Sequence, residues 1–487
     1  MAKKLFKDIV STSGVYFIVS IIGIISGILF PRLLGPDQWG LWSITIGLVW
    51  LLAPLAQVAM STTLTTYISK YKDDKGKVSS YVNSAYFVAI FSSFIVSLVL
   101  IIIGDYLASS VFQDERLKIF LFLAAGIIFF DQLNIINRDY FRGFKDFKRY
   151  NILKLIHPLA ILILTLTLLM IYSYRAVHLV ISHLSVAAIF CILVLVYMFK
   201  TEETFKLFNV PKIDITKKVL KFGVPLIFTM TFMTIMKSMD RVIIGYFLET
   251  SDVGIYSVAA GIPLMIGSMF APISTVLLPT FSERESKGES SELLLKEVFS
   301  FLLFISIPLI IFIILFSQDI LLIVFGEEYI LGAMVLSLTS IEIFLFSGER
   351  LLGASVVASE RTTKYALGMG ISAISNISMN VILIPIWGIE GAAVATVLSF
   401  LILFIVIISL SKKEYRFNVF QLDLTAIIFL LGAMIVSGIL LKRYLDGMIS
   451  FISTLVVFGL ILLVSVEFSR PRWYMELKTY IKEISFL

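Results

Sequence analysis

Apolar runs of about twenty residues or more recur from one end of this chain to the other, and that recurrence constrains its fold more than anything else. In hydrocarbon no water is present to bond the backbone N–H and C=O groups, so a spanning segment must be a helix or part of a closed barrel. Runs of this length, without strand-like alternation, select helices. Composition agrees: mean hydropathy is +0.97 and only 15% of residues are charged. The expected fold is all-α, a polytopic membrane protein of about 14 transmembrane helices. Their expected limits are 11–32, 39–66, 80–104, 117–137, 151–173, 176–199, 219–248, 253–281, 296–316, 329–348, 364–386, 389–411, 421–441 and 447–468. The first run has a basic flank but is too long for a signal-peptide core and lacks a small-residue cleavage site, so it reads as a retained span. One cysteine, Cys191, leaves no internal disulfide framework. His157, His178 and His183 lack metal-ligand spacing and read as ordinary polar side chains at helix ends.

Lys and Arg fall asymmetrically. Of 40, about 32 lie at the termini and even-to-odd connections, against roughly six on the other side. Lys3, Lys4 and Lys7 begin the rich side, Arg138, Arg142, Lys145, Lys148 and Arg149 continue it, and Arg470 and Arg472 close it. Both termini are therefore expected in the cytoplasm, the protein being multi-pass in the cell membrane. The net charge of +6 reads as a topology signal with some attraction to anionic membrane lipids, and does not call for nucleic acid.

An internal repeat organises the spans. Gly14-Val15 and Gly223-Val224 open spans 1 and 7, and that register aligns Arg32 with Arg241. After a five-residue difference in length, LGPDQWGLWS (34–43) matches LETSDVGIYS (248–257), pairing Gly40 with Gly254, Trp42 with Tyr256 and Ser43 with Ser257. The expected divisions are a six-helix lobe over 1–200, a linker over 201–218, a second six-helix lobe over 219–412, and two extra helices with a tail over 413–487.

Charges within the spans are the candidate functional residues, because an ionised side chain at that depth faces a bundle interior or a watery cavity. Lys237, Asp240 and Arg241 share one face of span 7 and keep a net positive charge. With Arg32 they suit an anionic substrate, Arg32, Lys237 and Arg241 being the binding candidates. The competing readings are snorkelling for Arg32 and an internal ion pair for the trio. Glu342, read as lying well inside span 10, Asp131 in span 4, and Asp240 are candidates for coupling to Na+ or H+. Asn376 and Asn380 read as helix-to-helix hydrogen-bonding groups. Pro225, Pro263, Pro272 and Pro279 interrupt spans 7 and 8, as where helices bend around a cavity. There is no Walker-type phosphate loop, and no constellation of acid, base or metal ligands that an enzyme would need.

Five stretches, FPRLLGPDQWGLWSI (30–44), FRGFKDFKRYNIL (141–153), SMDRVIIGYFLETSDVGIYSVA (238–259), FGEEYILGAMVL (325–336) and NISMNVILIPIWGIEGAAVAT (376–396), carry a resemblance. With the span count and the repeat, the chain resembles the polysaccharide transporter family, which includes flippases for O-antigen and lipid-linked oligosaccharides. That family belongs to the superfamily that also holds multidrug exporters. The resemblance implies two six-helix lobes around a cavity that opens alternately to either side, with basic residues holding the pyrophosphate or acidic sugars of a polyprenyl-linked glycan. It also implies a lipid-facing groove at spans 13 and 14, partners among glycan-assembly proteins, and no cofactor beyond a coupling ion. A cation-coupled multidrug exporter of the same superfamily is the alternative, disfavoured by a net-positive cavity. A membrane glycan polymerase is the third reading, disfavoured by the missing catalytic loop.

Overall fold

A computed structural model of the chain describes residues 2–172, 175–205, 211–270, 277, 280–281, 283–284, 287, 291–358, 361–415, 424–445 and 447–469. Pro272, Pro279, Arg470 and Arg472 lie outside the described residues, as do the side chains of Lys3, Lys4 and Lys7. The described residues form helices and short helical turns without strands, and helix occupies each of the fourteen expected spans. Among the described residues nine helices are long and apolar enough to cross a membrane, or ten when one bent pair counts as a span. Two of the nine are double-length, Ser11–Gln57 and Thr362–Leu410, and each is folded at a glycine.

The first compact unit spans Met1–Ile255 and holds α1 (Ala2–Gln57), α2 (Met60–Lys70), α3 (Lys75–Tyr106), α4 (Leu117–Gly143), α5 (Phe147–Ile171), α6 (Val177–Thr201) and α7 (Ile213–Phe247). Helix α1 is two arms. Along the first arm, Ser11 and Thr12 meet Asn151, and Phe30 and Leu34 meet Leu169, so it runs parallel with α5. Along the second arm, Gly40 packs on Thr250, Gly47 on Arg241 and Val58 on Gly223, so it runs antiparallel to α7. Helix α7 itself parallels α3, with Thr216 at Ser84 and Gly245 beside Phe112. The chain therefore reverses at Gly35, whose φ of 75° lies in the region open to glycine, and Pro36 follows.

The expected span 39–66 is not continuous. Val58 and Ala59 both take positive φ, breaking the helix before α2. The Val58 carbonyl there comes within 2.5 Å of where a Cβ on Gly223 would stand, so a close approach of α7 accompanies the break.

The internal repeat becomes physical at the end of this unit. A Cβ on Gly40 would lie 1.8 Å from the Thr250 carbonyl oxygen, and one on Gly254 would lie 1.9 Å from that of Pro36. Pro36 and Gly40 are the third and seventh residues of the first motif; Thr250 and Gly254 are those of the second. The two copies thus pack reciprocally, third residue against seventh in both directions, as a self-complementary contact requires. Arg116 flanks the contact and bridges Asp37 and Asp114, and Thr250 donates to Asp114.

The second unit spans Tyr256–Leu487. It carries most of α8 (Thr250–Ser268), then α9 (Glu292–Val324), α10 (Ala333–Thr339), α11 (Glu342–Ala358), α12 (Thr362–Tyr415), α13 (Leu424–Tyr444) and α14 (Gly447–Ser469). Helix α12 reverses at Gly388, φ 62°. Asn376 reaches Thr396 at 3.5 Å, although twenty residues of straight helix would part them by about 30 Å. Phe299, Phe344 and Phe404 form an aromatic core, and α13 and α14 dock on α9 through Gly438 against Leu315 and Phe451 against Phe312.

Glu342 lies at a break between two helical segments and not within one straight helix. It opens α11, after a 41° bend from the helical segment Glu327–Thr339, and is buried. Thr339 and Ser340 turn their hydroxyls back onto the Val335 and Ser337 carbonyls, a local alternative that bends helices.

Candidate functional site

The chemistry that the first unit gathers lies where α4 turns into α5. Asp146 caps α5 by accepting from the Arg149 backbone N–H, and Lys145 takes a left-handed turn. Gly143 lets Ile68 of α2 approach to 2.9 Å of where its Cβ would be. That contact draws Ser61 and Thr65 up to the last turns of α4. Ser61 Oγ donates to Asp139, which is 2% exposed, and the Nε atoms of Arg142 and Arg138 stand 3.4 and 4.0 Å from the same carboxylate. Arg142 also donates to Thr65 Oγ1 at 3.3 Å.

Both guanidinium groups lie over the Tyr150 ring, at 5.7 and 6.0 Å. The Tyr150 hydroxyl meets that of Tyr16 at 3.2 Å, and the Lys154 ammonium rests on the Tyr16 ring. Three cations, Arg138, Arg142 and Lys154, thus gather around the Tyr16 and Tyr150 rings, and only the two arginines meet the carboxylate of Asp139, which leaves an excess of positive charge. Arg149 is held apart by Asp146 and Glu202. Partly exposed guanidinium groups with five fixed donors each, beside an ammonium and two phenols, suit a phosphate or pyrophosphate.

Two turns before Arg138, Asp131 meets two histidines. His183 Nε2 is 2.8 Å from Asp131 Oδ2, and His157 Nε2 is 3.7 Å from Oδ1. His183 also faces the Trp42 ring, 6.0 Å between centroids. The expectation of helix-end histidines fails for these two, because α4, α5 and α6 bring them together around Asp131. His178 does sit near the start of α6, stacked on Tyr172.

Of the residues in these two clusters the sequence singles out only Asp131 as a candidate. The signal was periodicity on α5, where Tyr150, Lys154 and His157 follow i, i+4, i+7, and on α4, where Asp131, Arg138 and Arg142 follow i, i+7, i+11. In the sequence Arg138 and Arg142 stand out only as topology markers.

The charges expected on span 7 belong to this same unit. Asp240 is buried, Lys237 and Arg241 are half-buried, and the Arg241 guanidinium lies 5.4 Å over the exposed Trp50 ring. Gly47 leaves room for the Arg241 Cβ. Arg32 is exposed on the last turn before the Gly35 reversal. Asn376 and Asn380 are fully buried in the second unit, where Asn376 bonds across α12 as expected. Among the described residues no group of three or more His, Cys, Asp or Glu could hold a metal ion.

These helices, reversals and membrane-length apolar faces define a multi-pass helical membrane protein with a transporter fold. Solved structures share it: a lipid II flippase MurJ in an inward closed conformation aligns at TM-score 0.77 and 18% identity, covering 94% of this chain and 98% of that one. An inward-facing multidrug resistance transporter of the MATE family aligns at 0.66 and 15% identity, over 82% and 94%. The sequence profile of the polysaccharide biosynthesis protein family matches residues 29–332, and the chain belongs to that family. Curated relatives include the probable low-salt glycan biosynthesis flippase Agl15 of Haloferax volcanii, 34% identical over 33% of this chain and 35% of its own length. The chain thus aligns with about a third of that relative. An uncharacterised membrane protein of Methanocaldococcus jannaschii, MJ1068, is 23% identical over 91% of this chain and 93% of its own.

Proposed function

We propose that the protein is a flippase that carries a polyprenyl-pyrophosphate-linked oligosaccharide from the cytoplasmic to the outer leaflet by alternating access. The observation that carries this reading is the α4–α5 cluster, in which three cations gather around two phenols and a single carboxylate within a membrane-embedded lobe. A pyrophosphate supplies the negative charge that such a cluster lacks, and a net-positive site repels the cationic substrates of a drug exporter. Family membership and the relatives named as flippases support the same reading. On it, Arg32, Lys237 and Arg241 extend the cationic surface toward the other end of the lobe. The termini are cytoplasmic, α13 and α14 receive the polyprenyl tail, glycan-assembly enzymes supply the substrate, and the chain itself performs no bond chemistry.

The test is a flipping assay with the purified full chain in proteoliposomes, using a fluorescent polyprenyl-pyrophosphate disaccharide. Lys154→Met keeps the packing stem and touches no carboxylate, so it is the cleanest variant. Losing one charge-assisted contact of about 1.5–3 kcal/mol should weaken pyrophosphate recognition roughly tenfold or more. Unchanged flipping by Lys154→Met and Arg142→Gln would sink the cationic-site reading. Export of a cationic dye without any flipping would establish the drug-exporter alternative.

A further inference from the structure

The Asp131–His157–His183 cluster lies two turns along α4 from Arg138, and nothing in the proposed recognition of pyrophosphate uses it. Asp131 is about 20 Å along α4 from either end of the helix, the depth of a bilayer midplane. A carboxylate at that depth, with imidazoles on two neighbouring helices, is costly to keep for packing alone.

The geometry of its two sides differs. His183 Nε2 makes a 2.8 Å hydrogen bond to Oδ2; an ionised carboxylate only accepts, so this nitrogen donates and Nδ1 is left as the basic one. On the other side, Asp131 Oδ1 and His157 Nε2 are both buried, neither has a hydrogen-bond partner, and they face each other at 3.7 Å. In the tautomer of neutral His157 that carries its proton on Nδ1, these are two acceptors facing each other across a gap that one added proton would bridge.

We propose that Asp131, His157 and His183 form a proton-binding site inside the first lobe, and that its occupancy sets the bend of α5. A proton arriving from water adds to the His157 Nε2 lone pair, and the imidazolium N–H so formed donates to Asp131 Oδ1. The gap closes from 3.7 Å to an ordinary charge-assisted hydrogen bond of about 2.8 Å. On release the proton returns to water and the gap reopens. Helix α5 can follow this movement because Pro158, the next residue, has no N–H to give the Lys154 carbonyl. The segment that swings, from Phe147 to His157, carries Tyr150 and Lys154, two members of the cationic cluster.

The groups that face the site are accounted for helix by helix. Helix α4 offers Asp131 itself and Arg138; α5 offers His157; α6 offers His183 and Cys191. Helix α1 places Trp42 on His183, with Tyr16 beyond at Lys154, and α3 turns Tyr86 to Asn137 instead.

The inference rests on the flippase reading for its transport consequence but not for proton binding, so two measurements separate them. The chain has three histidines, which makes imidazole nitrogen NMR of the full-length protein in nanodiscs assignable. His157 and His183 should titrate as one linked step, Asp131→Asn should move both titrations, and His178 should titrate separately and stay put. Independent titrations of His157 and His183, or indifference to Asp131→Asn, would overturn the site. In proteoliposomes carrying the fluorescent polyprenyl-pyrophosphate disaccharide, an imposed pH gradient should accelerate wild-type flipping. His157→Gln and the near-isosteric Asp131→Asn should lose that acceleration by roughly tenfold, the scale of one lost proton-transfer group at the low end. Pro158→Ala should keep the linked titration and lose the acceleration; keeping both would overturn the role of the bend. If the wild type flips nothing in any gradient, the flippase reading fails by itself and the titration still decides the proton site.

Discussion

Adding one methyl group at Gly254 tests the reciprocal contact between the two motif copies. A Cβ there would stand 1.9 Å from the Pro36 carbonyl oxygen, and at Gly40 1.8 Å from that of Thr250. Both obstacles are backbone, which cannot rotate away as a side-chain tip can. An ordinary contact needs about 3.4 Å, so the two segments must part by about 1.5 Å, and overpacking of this kind costs about 1–3 kcal/mol. Because each methyl pushes the same two segments apart, Gly40→Ala plus Gly254→Ala should cost clearly less than the sum of the single changes. The control is Gly261→Ala on α8, where nothing lies within 4 Å and the gain in helix propensity should stabilise by up to about 1 kcal/mol. Thermal unfolding of the four purified variants in one detergent measures all of this. Single variants as stable as wild type, or a double variant whose loss is the full sum, would refute the reciprocal packing.

Four further outcomes rest on the same structure. Burial pushes the Asp114 carboxyl up, but hydrogen bonds from Arg116 and Thr250 outweigh it and hold it below its usual range. With the folded value depressed, the stabilisation is fully present above the unfolded value near 4 and is lost as pH falls through the folded one, so Asp114→Asn should flatten the acid limb of thermal stability. Tyr365 donates to the buried Glu349, and Tyr365→Phe should cost about 1–3 kcal/mol by removing a donor from a desolvated carboxylate, read as a lowered melting temperature. The Lys442–Asp319 pair between α13 and α9 is partly exposed, so Asp319→Asn should cost no more than about 1 kcal/mol. Gly438→Val, which drives a side chain into Leu315 2.4 Å away, should loosen the terminal pair far more, as protease sensitivity of α13 and α14 would report.

The class of fold is legible without coordinates, because a run of twenty apolar residues has one economical way to satisfy its backbone in lipid, and that rule acts locally. The repeat is legible too, since Gly40 and Gly254 had to be glycine in both copies for the backbones to touch. The span-7 charges were legible for the same reason: an ionised group in an apolar run stands out whatever surrounds it. What surrounds it was not legible. The break beside Glu342 was not legible because hydroxyl back-bonding at Thr339 and Ser340 bends the helix without proline or glycine. Arg138 and Arg142 passed as topology markers because their partners, Ser61, Thr65 and Tyr150, come from other helices. His157 and His183 are 26 residues apart in the chain, and Asp131 is 26 before His157. Only the packing of α4, α5 and α6 places two imidazoles on one carboxylate, because side chains on different helices meet according to helix register and approach, which single-helix periodicity does not encode.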